Sequence, residues 1–208
     1  MNELEEKSLA HKDNYKSQVL EFYKHIENLK DLDYLIHLIG FYSAPTINGL
    51  KIGSLINLKN TKRELINTWN ENKKSIAEIF NLEFIELKSD KNSLLLYFYD
   101  NQRLKKKFEN EQISSYLSGI GYEQNNNLNY YLMKLRENFQ FSTPSEIGIF
   151  LDYPLLDVID YNNKLKKCKY CGYWKCYNDV EGAKTTCQLY DISKMNYISK
   201  IINKKLPS

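Results

Sequence analysis

Arginine is scarce in this chain: of 29 basic residues only Arg63, Arg103 and Arg136 carry a guanidinium. The planar, bidentate group that favours phosphates and base edges is therefore nearly missing, and the net charge is only +3. Nucleic acid is not an expected partner. Long apolar runs are also missing. The longest, residues 94–99 (LLLYFY), is strand-sized, far below the ~18–20 residues of a membrane helix. The opening residues MNELEEKSLAHKDNYK alternate charge and have no apolar stretch of signal-peptide length. A cytoplasmic protein without membrane contact is expected. Four cysteines in 208 residues are too few for a disulfide framework, leaving thiols or metal ligands. Eight glycines and four prolines are spread without a linker or an internal repeat, which favours one domain over residues 1–208. No Walker loop, G-x-G-x-x-G, G-x-S-x-G or H-E-x-x-H pattern occurs.

What is present suits a folded globular chain: 42% apolar and 26% charged residues. The 17 tyrosines accompany an abundance of Lys, Asn and Ile, all encoded by A+T-rich codons, so as a group they carry no functional weight. Val19, Phe22, Tyr23, Ile26 and Leu29 recur at helical spacing and predict an N-terminal helical segment within residues 1–30, its apolar stripe covering about 15–29. Asp31 is a candidate cap for a second helix ending before Pro45. Asn48-Gly49 marks a turn into a strand over 51–58, and Thr61 to Glu64 has capping-box form ahead of a helix lined by Leu65, Trp69, Ile76 and Ile79. Two apolar runs around KSDKNS predict a hairpin whose second strand, apolar on both faces, is central. Asp100 is a candidate cap for one helix with Leu104, Phe108, Ile113 and Leu117 inward, and a further helix carries Leu128, Leu132, Leu135 and Phe139. Asp179 begins a helix through Ala183 and Cys187, and the last helix, with Met195, Ile198, Ile201 and Ile202 as its apolar stripe, is expected within 191–208. His11, His25 and His37 do not converge in sequence. These elements predict an α+β fold, a small mixed or antiparallel sheet covered by helices in a single domain.

Residues 143–177, TPSEIGIFLDYPLLDVIDYNNKLKKCKYCGYWKCY, gather the least ordinary chemistry. Thr143, Pro144 and Glu146 fit a helix start, and Asp157 fits the first turn of another helix, where a carboxylate is stabilised by unpaired N–H groups. The alternative is that Glu146 and Asp157 converge as an acid and base or as hard-cation ligands. Cys168 and Cys171 stand in C-x-x-C-G form, but Cys176 and Cys187 make no second C-x-x-C. A four-thiolate zinc or iron site competes with four packed thiols. On a continuous strand over 168–177, Lys175 would share a face with Tyr173 and Tyr177, as an anion-binding cation or an ammonium snorkelling to water.

The blocks E-I-G-x-F-L-x-Y-P-x-x-D-V (146–158) and G-Y-W-K-x-Y (172–177), with Ala44-Pro45-Thr46, Gly49, Lys51, Ser54-Leu55, Gly121-Tyr122 and Leu135-Arg136, resemble a bacterial family of unknown function, DUF3793, found mainly in anaerobic Gram-positive bacteria. The resemblance implies a shared fold and a shared pocket and carries no assigned reaction. Ser145 stands where the family pattern has histidine, and Cys176 where it has valine. Together these readings predict a pocket for a small-molecule, anionic ligand. Lys51, Arg136 and Lys175 would supply charge, Trp174 and Tyr177 a wall, Asp157 a further contact, and Glu146 with Lys175 any acid–base chemistry. The rivals are a metal protein using Cys168, Cys171, Cys176 and Cys187, and a regulatory module binding protein or RNA. Reaction, cofactor and oligomeric state are left open by the sequence.

Overall fold

The computed structural model describes residues 3–123, 127–164 and 166–203, with side chains from residue 13 onward. Two long helices, α1 (Glu3–Ile26) and α2 (Asp31–Ile47), lead into strand β1 (Gly53–Lys59) and helix α3 (Leu65–Phe80). The hairpin β2 (Glu83–Ser89) and β3 (Ser93–Tyr99) follows. Next come α4 (Asn101–Phe108), α5 (Glu111–Gly119), α6 (Leu128–Phe141), the single turn α7 (Ile147–Phe150) and α8 (Leu155–Asn163). A two-stranded ribbon, β4 (Tyr170–Cys171) and β5 (Lys175–Cys176), precedes the last described helix, α9 (Val180–Ile202). The fold is α+β.

The three-stranded sheet is antiparallel in the order β1-β3-β2. Strand β3 is central, as its doubly apolar pattern predicts. Successive strand residues point to opposite faces, so Tyr97 and Tyr99 join one core with Leu104, Phe108, Leu117, Leu135 and Phe150 from α4 to α7. Leu94, Leu96 and Phe98 join the other core, with Leu35 and Ile39 of α2 and Trp69 and Ile76 of α3. A third cluster, Phe22, Ile26, Phe41 and Ile198, ties α1 and α2 to α9. Tyr97 donates its hydroxyl hydrogen to the Phe150 carbonyl at 2.6 Å, pinning α7 to the middle of the sheet. The hairpin turn is closed by Asp90, which accepts from the backbone N–H groups of Asn92 and Ser93 and from the Ser93 hydroxyl.

Several local expectations are corrected. Helix α1 begins well before its apolar stripe, because Glu, Leu, Lys and Ala in the opening residues are good helix formers without needing a core face. Helix α2 runs through Pro45 and ends two residues later, so the missing N–H costs only one bond of the final turn. The residue preceding α2 is Lys30, and Asp31 lies inside its first turn. Residues 61–63 form a bend, with no capping box; Asn60 does that work by accepting from the Ile66 N–H and donating to Glu64. Ile79 is more than half exposed. Asp100 does cap α4, accepting from the Arg103 N–H at 3.0 Å, but the helix breaks at residues 109–110 and Asn110 caps a separate α5. The last helix starts at Val180 and continues unbroken to Ile202, with Asp179 accepting from the Gly182 N–H as its cap.

Candidate functional site

The site lies where α7, α8 and the β4–β5 ribbon meet. Gly148 lets α7 sit against α8, since a Cβ there would come within 2.7 Å of Val158 Cγ2. The chain then turns through Asp152 at φ 68°, a left-handed conformation open to Asp, and the Tyr153 N–H closes the turn on the Gly148 carbonyl. Pro154 leads into α8. Residues 168–177 fold back on themselves instead of running as one strand, pairing Tyr170 with Cys176 and Cys171 with Lys175. Gly172 at the tip presses on α9, where a Cβ would meet Cys187 Sγ at 2.5 Å.

Asp157 is the fastener of this ribbon. Its carboxylate accepts from Trp174 Nε1 (2.8 Å), Tyr177 N (2.9 Å), Asn178 N (3.1 Å) and Asn178 Nδ2 (2.8 Å). Burial raises its pKa, but these four donors outweigh burial and hold it below the ordinary carboxylate value. Glu146 does not cap α7. It is buried and accepts on Oε1 from Asn138 Nδ2 (2.7 Å) and Tyr122 OH (3.1 Å). Burial, then the charge of Glu146, push the Tyr122 hydroxyl far above its usual range, so it stays a donor.

Two adjoining cavities open here. The inner one, about 200 Å³, is walled mostly by Pro144, Ile147, Val158, Tyr153 and Trp174. The Tyr153 and Trp174 rings stack at 5.1 Å and 24°. The outer one, about 850 Å³, is more polar and includes Asn138, Glu146, Lys164, Lys166 and Tyr177. Thr143, Pro144, Ser145, Tyr161 and Lys175 line both. Lys175 is exposed at this junction, its Nζ 5.4 Å from the Tyr161 ring centre, and it shares the outer cavity with Tyr177.

Of the residues singled out from sequence, Glu146, Asp157, Trp174, Lys175 and Tyr177 line these cavities. Arg136 lies elsewhere, exposed beside Glu86 and Gln140. Lys51 is buried behind the wall, 5.6 Å from the Tyr153 ring centre. The cysteines do not gather. Cys168 Sγ points to the Tyr170 and Cys176 carbonyls, Cys176 Sγ to the Asp179 carbonyl, and Cys171 is exposed. Burial raises the Cys176 and Cys187 thiols, against the thiolate a metal needs. Among the described residues, no three His, Cys, Asp or Glu side chains are placed to hold one metal ion.

Sequence reasoning missed Tyr153, Tyr161, Tyr190 and Lys194. For Lys194 a signal existed. Ala183, Cys187, Tyr190, Lys194 and Ile198 share the buried stripe of α9, and a lysine on such a stripe is a misfit.

Fold and site together define a helix-rich α+β protein with an aromatic-walled double cavity where α7, α8 and the β4–β5 ribbon meet. Residues 39–207, which supply every wall of that cavity, match the family model described as Protein of unknown function (DUF3793), and the chain belongs to that family. No curated protein and no solved structure matches the chain.

Proposed function

We propose that the double cavity binds a small amphipathic anion, with an apolar body in the inner slot and a carboxylate or phosphate head in the outer chamber. The observation that carries this reading is the position of Lys175, a cation at the junction of an apolar slot and a polar mouth. Among the described residues Lys175 and Lys164 have no carboxylate partner, whereas Lys166 is held by Asp160 at 2.7 Å. Glu146 repels an anion from the α6 side of the mouth, so the head group settles toward Lys175. A ligand with a flat ring gains further from Trp174 and Tyr153. The free thiols and the lack, among the described residues, of any helix long and apolar enough to cross a membrane support a cytoplasmic location.

Trp174 reports binding directly, since the other tryptophan, Trp69, is sealed in the sheet core. Titrating aromatic carboxylates and phosphate esters should quench Trp174 emission, and Lys175→Met should weaken binding at least tenfold with the melting temperature nearly unchanged. Equal binding by Lys175→Met, or quenching that persists in Trp174→Phe, would remove the reading.

A further inference from the structure

Among the described residues two carboxylates line the double cavity, and they differ in how fully their oxygens are used. Asp157, on the inner slot, has both taken: Oδ1 by Tyr177 N, Asn178 N and Asn178 Nδ2, and Oδ2 by Trp174 Nε1. Glu146, on the outer chamber, is used on one side only. Asn138 Nδ2 at 2.7 Å and Tyr122 OH at 3.1 Å both donate to Oε1, and among the described residues no donor reaches Oε2. Glu146 is only 6% exposed, yet Oε2 is not one of the sealed polar atoms without a partner, so it opens onto the chamber that its side chain lines.

The place of Glu146 in the chain sets that oxygen beside the slot. Ser145 lines both cavities, Glu146 the outer and Ile147 the inner, so the divide between the two crosses these three residues. Lys175 lines both cavities from the ribbon and makes no ion pair with Glu146. An apolar slot, an ammonium and an open carboxylate oxygen therefore border one junction. Filling the chamber with an anion alone would strip water from Oε2 and give it no donor in return, which is costly for a charged acceptor. A ligand that answers both charges brings a cationic donor as well as an anion. The slot, at about 200 Å³, has room for one ring, since apolar cavities of about 150 Å³ take up benzene.

We propose that the double cavity takes a zwitterion of the α-amino acid class with an aromatic side chain, its ammonium on Glu146 Oε2, its carboxylate on Lys175 and its ring in the slot. This rests on the Lys175 reading above and adds the second charge to it. An α carbon sends an ammonium, a carboxylate and a side chain in three directions, and the junction offers one partner for each. Trp174 and Tyr153 supply the aromatic wall for the ring. Asn138 and Tyr122 act as positioning residues: by occupying Oε1 they hold the carboxylate with Oε2 toward the chamber. Binding consists of two ion pairs and the burial of one ring, with no bond made or broken.

The test uses the full chain, Trp174 emission and three probes on one carbon skeleton: L-phenylalanine, 3-phenylpropanoate, which lacks the ammonium, and phenethylamine, which lacks the carboxylate. L-phenylalanine should bind at least tenfold tighter than either analogue. Glu146→Gln, which still offers an oxygen to Asn138 and Tyr122, should erase the advantage over 3-phenylpropanoate without weakening 3-phenylpropanoate itself. Equal or tighter binding of 3-phenylpropanoate in the parent chain would overturn the ammonium site and leave the Lys175 reading standing, with no variant needed. An advantage that survives in a folded Glu146→Gln would overturn the role of Glu146. Equal binding of phenethylamine and L-phenylalanine would remove the carboxylate contact, and with it both readings. Quenching by none of the three at millimolar concentration would overturn the amino acid ligand, and the Lys175 reading would then rest on phosphate esters.

Discussion

At the scale of single residues, the chain departs from ordinary surface chemistry most sharply at Lys51. A lysine whose folded pKa is lowered from 10.5 to about 7 gives up its proton in the folded state more readily than in the unfolded chain. The unfolded state therefore binds more protons across that window, and stability rises with pH from about 7 upward. The expected slope from Lys51 alone is roughly 1.4 kcal/mol per pH unit. Lys51→Met removes that dependence, so the variant should be more stable than the parent near neutrality, with the advantage shrinking as pH rises. Denaturant melts at a series of pH values check this, and a constant difference between the two chains would show that the Lys51 charge is not the cause. Glu146 teaches a related lesson. Thr143, Pro144 and Glu146 have the spacing of a helix start, yet the carboxylate turns to Asn138 and Tyr122 because those donors are buried beside it. A local motif states what a side chain can do, and the neighbours decide which option is taken.

Among elements, the β4–β5 ribbon is the least self-sufficient. Two residues per strand cannot hold a register alone, and the ribbon depends on Asp157 of α8 and on Gly172 fitting under Cys187. Asp157→Asn keeps the shape but weakens acceptance from four donors, so it should destabilise the chain by roughly 1.5–3 kcal/mol. The loss should appear first as faster amide exchange at Tyr177 and Asn178, ahead of the sheet. Uniform acceleration through β3 would instead assign Asp157 to global stability. The lowered Asp157 pKa gives this contribution its sign: present at neutral pH, it is lost as pH falls below the ordinary carboxylate value and through the folded one. The ribbon also shows why the strand reading of 168–177 failed. Alternation assumes a straight chain, and the turn around Gly172 and Tyr173 reverses it before Lys175. By contrast β2–β3 was legible, because two apolar runs around a polar turn specify a hairpin whatever surrounds them.

For the whole molecule, the central strand is the common element of two cores, one under α4 to α8 and one under α2 and α3. Such sharing makes the layers cooperative. Trp69 emission and far-ultraviolet circular dichroism should therefore report one coincident denaturant transition, and separated midpoints would divide the chain into independently folding parts. The α+β class, the hairpin, the central place of β3 and the helix over Leu128 to Phe139 were all determined by the sequence itself. Apolar period, turn residues and the Asp100 cap act over a few neighbouring residues and need no partner. Only the tertiary structure decided that Glu146 and Trp174 line two adjoining cavities joined at Lys175 while Arg136 stands apart, that the cysteines scatter, and that Lys51 and Lys194 are buried against aromatic rings. Those outcomes depend on which helices pack together, as α2 and α9 do across 145 positions of sequence between Asn48 and Ser193. Desolvation, the force that lowers the two lysines, exists only once those distant surfaces have closed.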